Sequence, residues 1–212
     1  MARSAAALDL QTGGGEVLAT TPERPPLLVA TESWPPNLAR ARHNLRPLGA
    51  SVVEADDSTG LPFAGGSFDL VVSRHPVVTD WSEVTRVLRP GGTFLSQQVG
   101  PGSVRQLTDF LMGPQPVGRA RSPRRAVDAA SRADLEVVDL REATLLMEFF
   151  DIAAVVHFLR KVVWIVPDFT VDRYRHRLSA LHHQIQTDGP FVAQAERFLI
   201  EARRPDRPEV SP

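Results

Sequence analysis

Through its first hundred residues the chain alternates short apolar runs with stretches of helical spacing. The runs at 5–11, 27–31, 51–55, 68–73 and 93–99 are not broken by regular polar positions. That is the pattern of strands buried on both faces. Helices are predicted between them at 16–20, about 37–46 and 80–88. Pro35-Pro36 stand before the second, and Pro90-Gly91-Gly92 are expected to close the third. Strands separated by helices indicate a doubly wound α/β fold, a mostly parallel sheet that binds ligands at the carboxyl ends of its strands.

The second half is less regular. A Gly- and Pro-rich stretch at 100–118 reads as a loop around a short helix, followed by a helix at 124–133 and a sixth strand at 135–143. Two helices are expected at about 150–163 and 171–186, before a seventh strand near 191–201. Some forty residues between strands six and seven are too many for a plain connection. Residues 144–190 are therefore expected to form a helical insertion, a cap, within a single domain spanning 1–212. The tail 203–212, with three prolines, is expected to fray. The apolar stretch 145–166 is as long as a membrane span but contains Glu148, Asp151, His157, Arg160 and Lys161. Charges at such positions oppose insertion, so it is read as helix packed inside the protein. With no signal-peptide pattern at its start, the chain is expected to be cytoplasmic.

Composition narrows the chemistry. A chain of 212 residues with 42% hydrophobic positions is too apolar for general disorder and needs no disulfide or metal staple. The absence of cysteine excludes a disulfide scaffold, a thiolate metal site and a cysteine nucleophile. With 24 basic and 25 acidic residues the net charge is −1, which argues against a dedicated nucleic-acid binder. The balance is uneven, however: residues 101–133 hold 6 basic and 2 acidic side chains. That block, with Arg119, Arg121, Arg124 and Arg125, is either a solvated face or a site for an acidic acceptor or partner.

The first strand runs into Leu8-Asp9-Leu10-Gln11-Thr12-Gly13-Gly14-Gly15-Glu16. Glycines at a strand-to-helix turn permit positive φ and close approach of a ligand to the backbone. The dinucleotide fingerprint would need a third glycine where Leu18 stands, and no Lys-Ser/Thr pair follows for a phosphate loop. Asp9, acidic within an apolar strand, suits a ligand carrying a cationic group. Glu32, ending strand two, can accept bonds from ribose hydroxyls or favour the next helix N-terminus. After strand three, Asp56-Asp57 precede Leu61-Pro62-Phe63. Either a carboxylate there accepts an adenine amino proton beside apolar residues, or the segment is a polar turn.

Taken in order, LDLQTGGGE, Glu32, D-x-x-x-LPF from Asp57, SFDLVVSRH and EVTRVLRPGGTFL resemble the class I S-adenosylmethionine-dependent methyltransferases, especially their small-molecule type 11 group. The resemblance runs from about residue 7 to 99 and implies a Rossmann-like, seven-stranded sheet whose first hundred residues form the cofactor-binding half. It implies S-adenosylmethionine as cofactor, with Asp9, Gly13 and Gly15 around the methionine end. It places Glu32 on the ribose, Asp57 on the adenine amino group, and Leu61 and Phe63 beside the ring. Trp34 would cover the ribose or adenine, or is simply a surface aromatic. Ser73, Arg74 and His75 would face the transferred methyl. Two departures stand out. Gln11 occupies a position where the family usually has glycine, and strand one begins about four residues after Met1, so the family's lid-forming N-terminal segment is expected to be missing.

Methyl transfer from a sulfonium needs chiefly alignment, and a base only for a protonated acceptor. His75 is the candidate base, or else a residue orienting the Pro76 turn. Gln97, Glu148 and Asp151 are candidate acceptor contacts, although Asp151 is more simply a helix cap. His176, His182 and His183 lack a metal-ligand spacing with acids, so no metal is expected. The expected function is methyl transfer to a small, partly apolar metabolite, with no nucleic acid or membrane partner. The alternative is a degenerate protein of the same fold that binds cofactor or a partner without turnover.

Overall fold

The structure, a computed structural model, describes residues 1–55 and 60–206. Its strands are β1 (Ala6–Leu10), β2 (Leu27–Glu32), β3 (Ser51–Glu54), β4 (Phe68–Arg74), β5 (Leu88–Val99), β6 (Glu136–Phe149) and β7 (Phe191–Arg203). The helices are α1 (Glu16–Ala19), α2 (Pro35–Leu45), α3 (Trp81–Val87), α4 (Arg105–Met112), α5 (Pro123–Arg132), α6 (Ile152–Lys161) and α7 (Arg175–Asp188). One seven-stranded sheet has the order β3-β2-β1-β4-β5-β7-β6. The pairs β1–β2, β2–β3, β1–β4 and β4–β5 are parallel. Strand β7 reverses direction: Gly91 N–H meets Arg204 O near the start of β5, and Gly100 N–H meets Glu196 O just past its end. The fold is thus α/β, doubly wound and mostly parallel, with α6 and α7 inserted between strands six and seven.

Two compact units are distinguished. The first comprises Met1–Gln98, Pro123–Arg141 and Phe198–Pro212. Its central strands are apolar on both sides because both faces meet helices. On one face Leu8, Leu10, Val71 and Phe94 pack with Val84 and Val87 of α3 and Ala130 of α5. On the other, Ala7, Leu28 and Ala30 meet Leu18, Ala41 and Leu45 of α1 and α2. The period of two puts Asp9 on the same face as Ala7. The second unit, Val99–Ser122 and Glu142–Arg197, has its own core, in which Leu107, Phe149, Leu159, Leu181 and Phe191 are buried. Phe149 and Phe158 contribute an edge-to-face pair 5.4 Å apart.

Three element boundaries differ from the sequence reading. Helix α3 ends at Val87, and Pro90-Gly91-Gly92 lie inside β5, where the β4 register jumps from Phe68↔Leu88 to Leu70↔Thr93. The prolyl-glycyl segment therefore bulges a strand as well as ending a helix. Strand β6 continues to Phe149, so 145–149 is strand, not the start of the cap helix. The cause is at Asp151, whose carboxylate accepts from Ala154 N at 2.7 Å and fixes the helix start there. Lastly, 145–166 is strand, helix and turn in succession, and among the described residues no helix is long and apolar enough to cross a membrane.

Candidate functional site

At the carboxyl ends of β1 and β4 the first unit opens a cavity of about 490 Å³. Asp9, Thr12, Ser73, Arg74 and Gln97 supply its polar wall, and half-buried Val72, Leu95 and Leu199 much of its apolar wall. Burial raises the Asp9 carboxyl to about 6, against a smaller opposing effect of the Thr12 hydroxyl beside it. A carboxylate whose ionised form is this poorly solvated gains most from a cationic partner.

The loop after β1 is held from beneath. Thr12 N–H donates to Thr31 O at 2.9 Å, and Asn44 Nδ2 donates to Gly14 O at 2.8 Å. Gly13 and Gly15 both have positive φ, 64° and 77°, but for different ends. A Cβ on Gly15 would lie 2.9 Å from Leu45 Cγ, so this glycine permits α2 to pack closely. A Cβ on Gly13 would meet nothing within 4 Å, leaving its backbone open to a ligand. Glu32 is buried at the end of β2, where Oε1 accepts Ser33 N–H at 2.9 Å and Trp34 N–H at 2.8 Å. The same carboxylate thus organises the entry to α2. Trp34, just before Pro35, is 59% exposed.

Ser73 and Ser96 share a buried 2.8 Å hydrogen bond across β4 and β5. His75 leaves β4 with φ 55°, its N–H on Gln97 O at 2.7 Å; Arg74, not His75, is among the residues lining the cavity. Leu61 is buried, while Phe63 packs edge-to-face on Phe68 at 5.1 Å and belongs to the core. Asp57 lies outside the described residues. In the second unit, Glu148 is exposed on β6 and Asp151 is the cap of α6. Among the described residues no His, Asp or Glu cluster is arranged to hold a metal.

Two contributors, Glu83 and Arg86, were not singled out from the sequence. Glu83 Oε2 accepts Leu61 N–H at 2.6 Å, and Arg86 donates to Leu61 O at 2.8 Å and Phe63 O at 2.6 Å. The Glu83/Arg86 spacing on a helical segment was the visible signal for this pair. Gln11, with φ 54°, donates through Nε2 to Val78 O at 2.6 Å and accepts Val77 N–H on Oε1 at 2.7 Å. On its far side lies a second cavity, of about 10 Å³, lined in part by Leu61, Pro76, Val78 and Asp80.

Asp9, the open backbone at Gly13 and buried Glu32 fit a ligand that joins a cationic amino acid to a ribose. Residues 8–96 match the family described as methyltransferase domain. No curated protein matches the sequence. Among solved structures, a Bacillus halodurans protein assigned as a methyltransferase is 19% identical over 97% of this chain and 94% of its own, with a TM-score of 0.69. The YcgJ protein of Bacillus subtilis is 17% identical over 95% and 92%, with a TM-score of 0.68. The [4+2]-cyclase SpnF is 16% identical over 95% and 75%, with a TM-score of 0.58. The chain has the fold of the class I methyltransferases, and its residues 8–96 are similar to the methyltransferase-domain family.

Proposed function

We propose that this protein is an S-adenosylmethionine-dependent methyltransferase acting on a small, partly apolar metabolite in the cytoplasm. The observation that carries the reading is the arrangement at the strand ends: Asp9 and Thr12 line the cavity, a Cβ on the next residue, Gly13, would meet nothing within 4 Å, and Glu32 is buried one strand away. Asp9 would hold the cofactor's amino group, and Oε2 of Glu32 its ribose hydroxyls. When bound, the sulfonium supplies an activated methyl group. The chain's part is then positioning, which can lower a barrier by several kcal/mol. Val72, Leu95 and Leu199 offer an apolar acceptor body its surface, and Arg74 and Gln97 a polar end. The acceptor reading follows from that mixed lining. A fold shared with a cyclase does not fix the reaction, so the assignment rests on the site rather than on likeness.

Calorimetric titration with S-adenosylhomocysteine tests the cofactor assignment. Binding should be measurable below millimolar concentration and should weaken about ten-fold or more in Glu32→Ala, which loses charge-assisted bonds to a ligand. Absence of binding in the wild-type protein would overturn the reading. Transfer of labelled methyl to small apolar alcohols, phenols or amines, but not to peptide or nucleic acid, tests the acceptor class.

A further inference from the structure

The two cavities meet at Gln11 and Ser73, which line both. Asp9 lies on the larger side and Leu61 on the smaller, so a ligand spanning the two must pass the Gln11 side chain. That side chain is tied at both ends, Nε2 to Val78 O and Oε1 to Val77 N, bridging the end of β1 to the loop after β4. The smaller cavity has room for about one water, far too little for a nucleoside base.

We propose that Gln11 is the gate of the cofactor groove. Clamped on Val77 and Val78, it separates the amino-acid end from the nucleoside end, and the cofactor binds only after the clamp is broken. The inference rests on the proposed cofactor reading and adds to it the residue that sets affinity. Two properties suit a gate better than a strut. Gln11 adopts φ 54°, a region unfavourable to residues other than glycine, so the closed state carries backbone strain. Its partners Val77 and Val78 are 66% and 60% exposed, so the bonds it makes are readily exchanged for water.

Gln11→Gly removes the clamp and accepts the same φ without strain. Gln11→Asn also tolerates it but is too short to bridge both valines. Titrated with S-adenosylhomocysteine, both variants should bind about ten-fold more tightly than wild type, reflecting two hydrogen bonds no longer broken on binding. In the wild-type protein, hydrogen exchange at the Val77 amide should accelerate when ligand is added. Equal or weaker binding by the variants, or unchanged Val77 exchange at saturation, would overturn the gate while leaving the cofactor assignment standing. Failure of all three proteins to bind would overturn both.

Discussion

Burial disfavours the charged form of the Asp9 carboxyl and raises it to about 6. A folded-state value above the ordinary 3.8 means that folding favours the protonated form. The associated stability is fully present below pH 3.8, is lost as pH rises through about 6, and does not change further above that. Asp9→Asn should therefore match wild type near pH 4 and exceed it at pH 8, by about 3 kcal/mol at most. Urea unfolding across that range measures the difference, and a pH-independent gap would contradict it. The two glycines separate in the same way. Gly15→Ala must displace Leu45 as well as adopt positive φ, so it should cost roughly 2–3 kcal/mol, whereas Gly13→Ala should cost about 1. Asp9 stood out in the sequence as an acid within an apolar strand, and Glu32 and the glycine loop because they end or follow one. The division of labour between Gly13 and Gly15 was not, since it depends on Leu45, thirty residues away on α2.

At the scale of elements, α3 does more than cover the sheet. Its Asp80 cap accepts Ser82 and Glu83 N–H, and the Glu83/Arg86 pair then grips Leu61 by both its backbone groups. The Arg86 guanidinium, against a smaller opposing cost of burial, holds the Glu83 carboxyl below its usual range. Arg86→Ala should leave the carbonyls of Leu61 and Phe63 to water and lower stability by roughly 1–2 kcal/mol, read by thermal unfolding. It should weaken S-adenosylhomocysteine binding if the 61–63 turn flanks the ring; unchanged affinity would confine the pair to a structural role. The helix itself was readable from Asp80 and the Pro-Gly-Gly that follows. Strand β6 was underestimated because Leu145, Leu146 and Met147 are good helix formers, and local preference yields to pairing in the sheet. Thr144 Oγ1 reaches Glu196 of β7 at 2.8 Å, a contact between residues 52 apart that no local pattern contains.

For the molecule as a whole, the order of motifs along the chain pointed to a doubly wound, mostly parallel sheet, a topology that collects the carboxyl ends of its parallel strands along one edge. What that order could not give is the state of the groove. The Gln11 clamp joins residues 66 and 67 positions apart, and the departure from glycine signalled only that something there differs. Binding at this edge should be felt by global stability, since a ligand that binds only the folded chain raises it by mass action. At one hundred times its dissociation constant, S-adenosylhomocysteine should add about 2.7 kcal/mol. For a chain of this length, that corresponds to roughly 5–10 °C in Tm. The shift should also depend on pH through Asp9. A cationic amine favours the ionised carboxylate, so at fixed ligand concentration the shift should be largest above pH 6 and shrink as pH falls below it. Asp9→Asn should give a smaller shift with no such dependence. Equal shifts at pH 5 and pH 8 in the wild-type protein would separate the cofactor's amino group from Asp9.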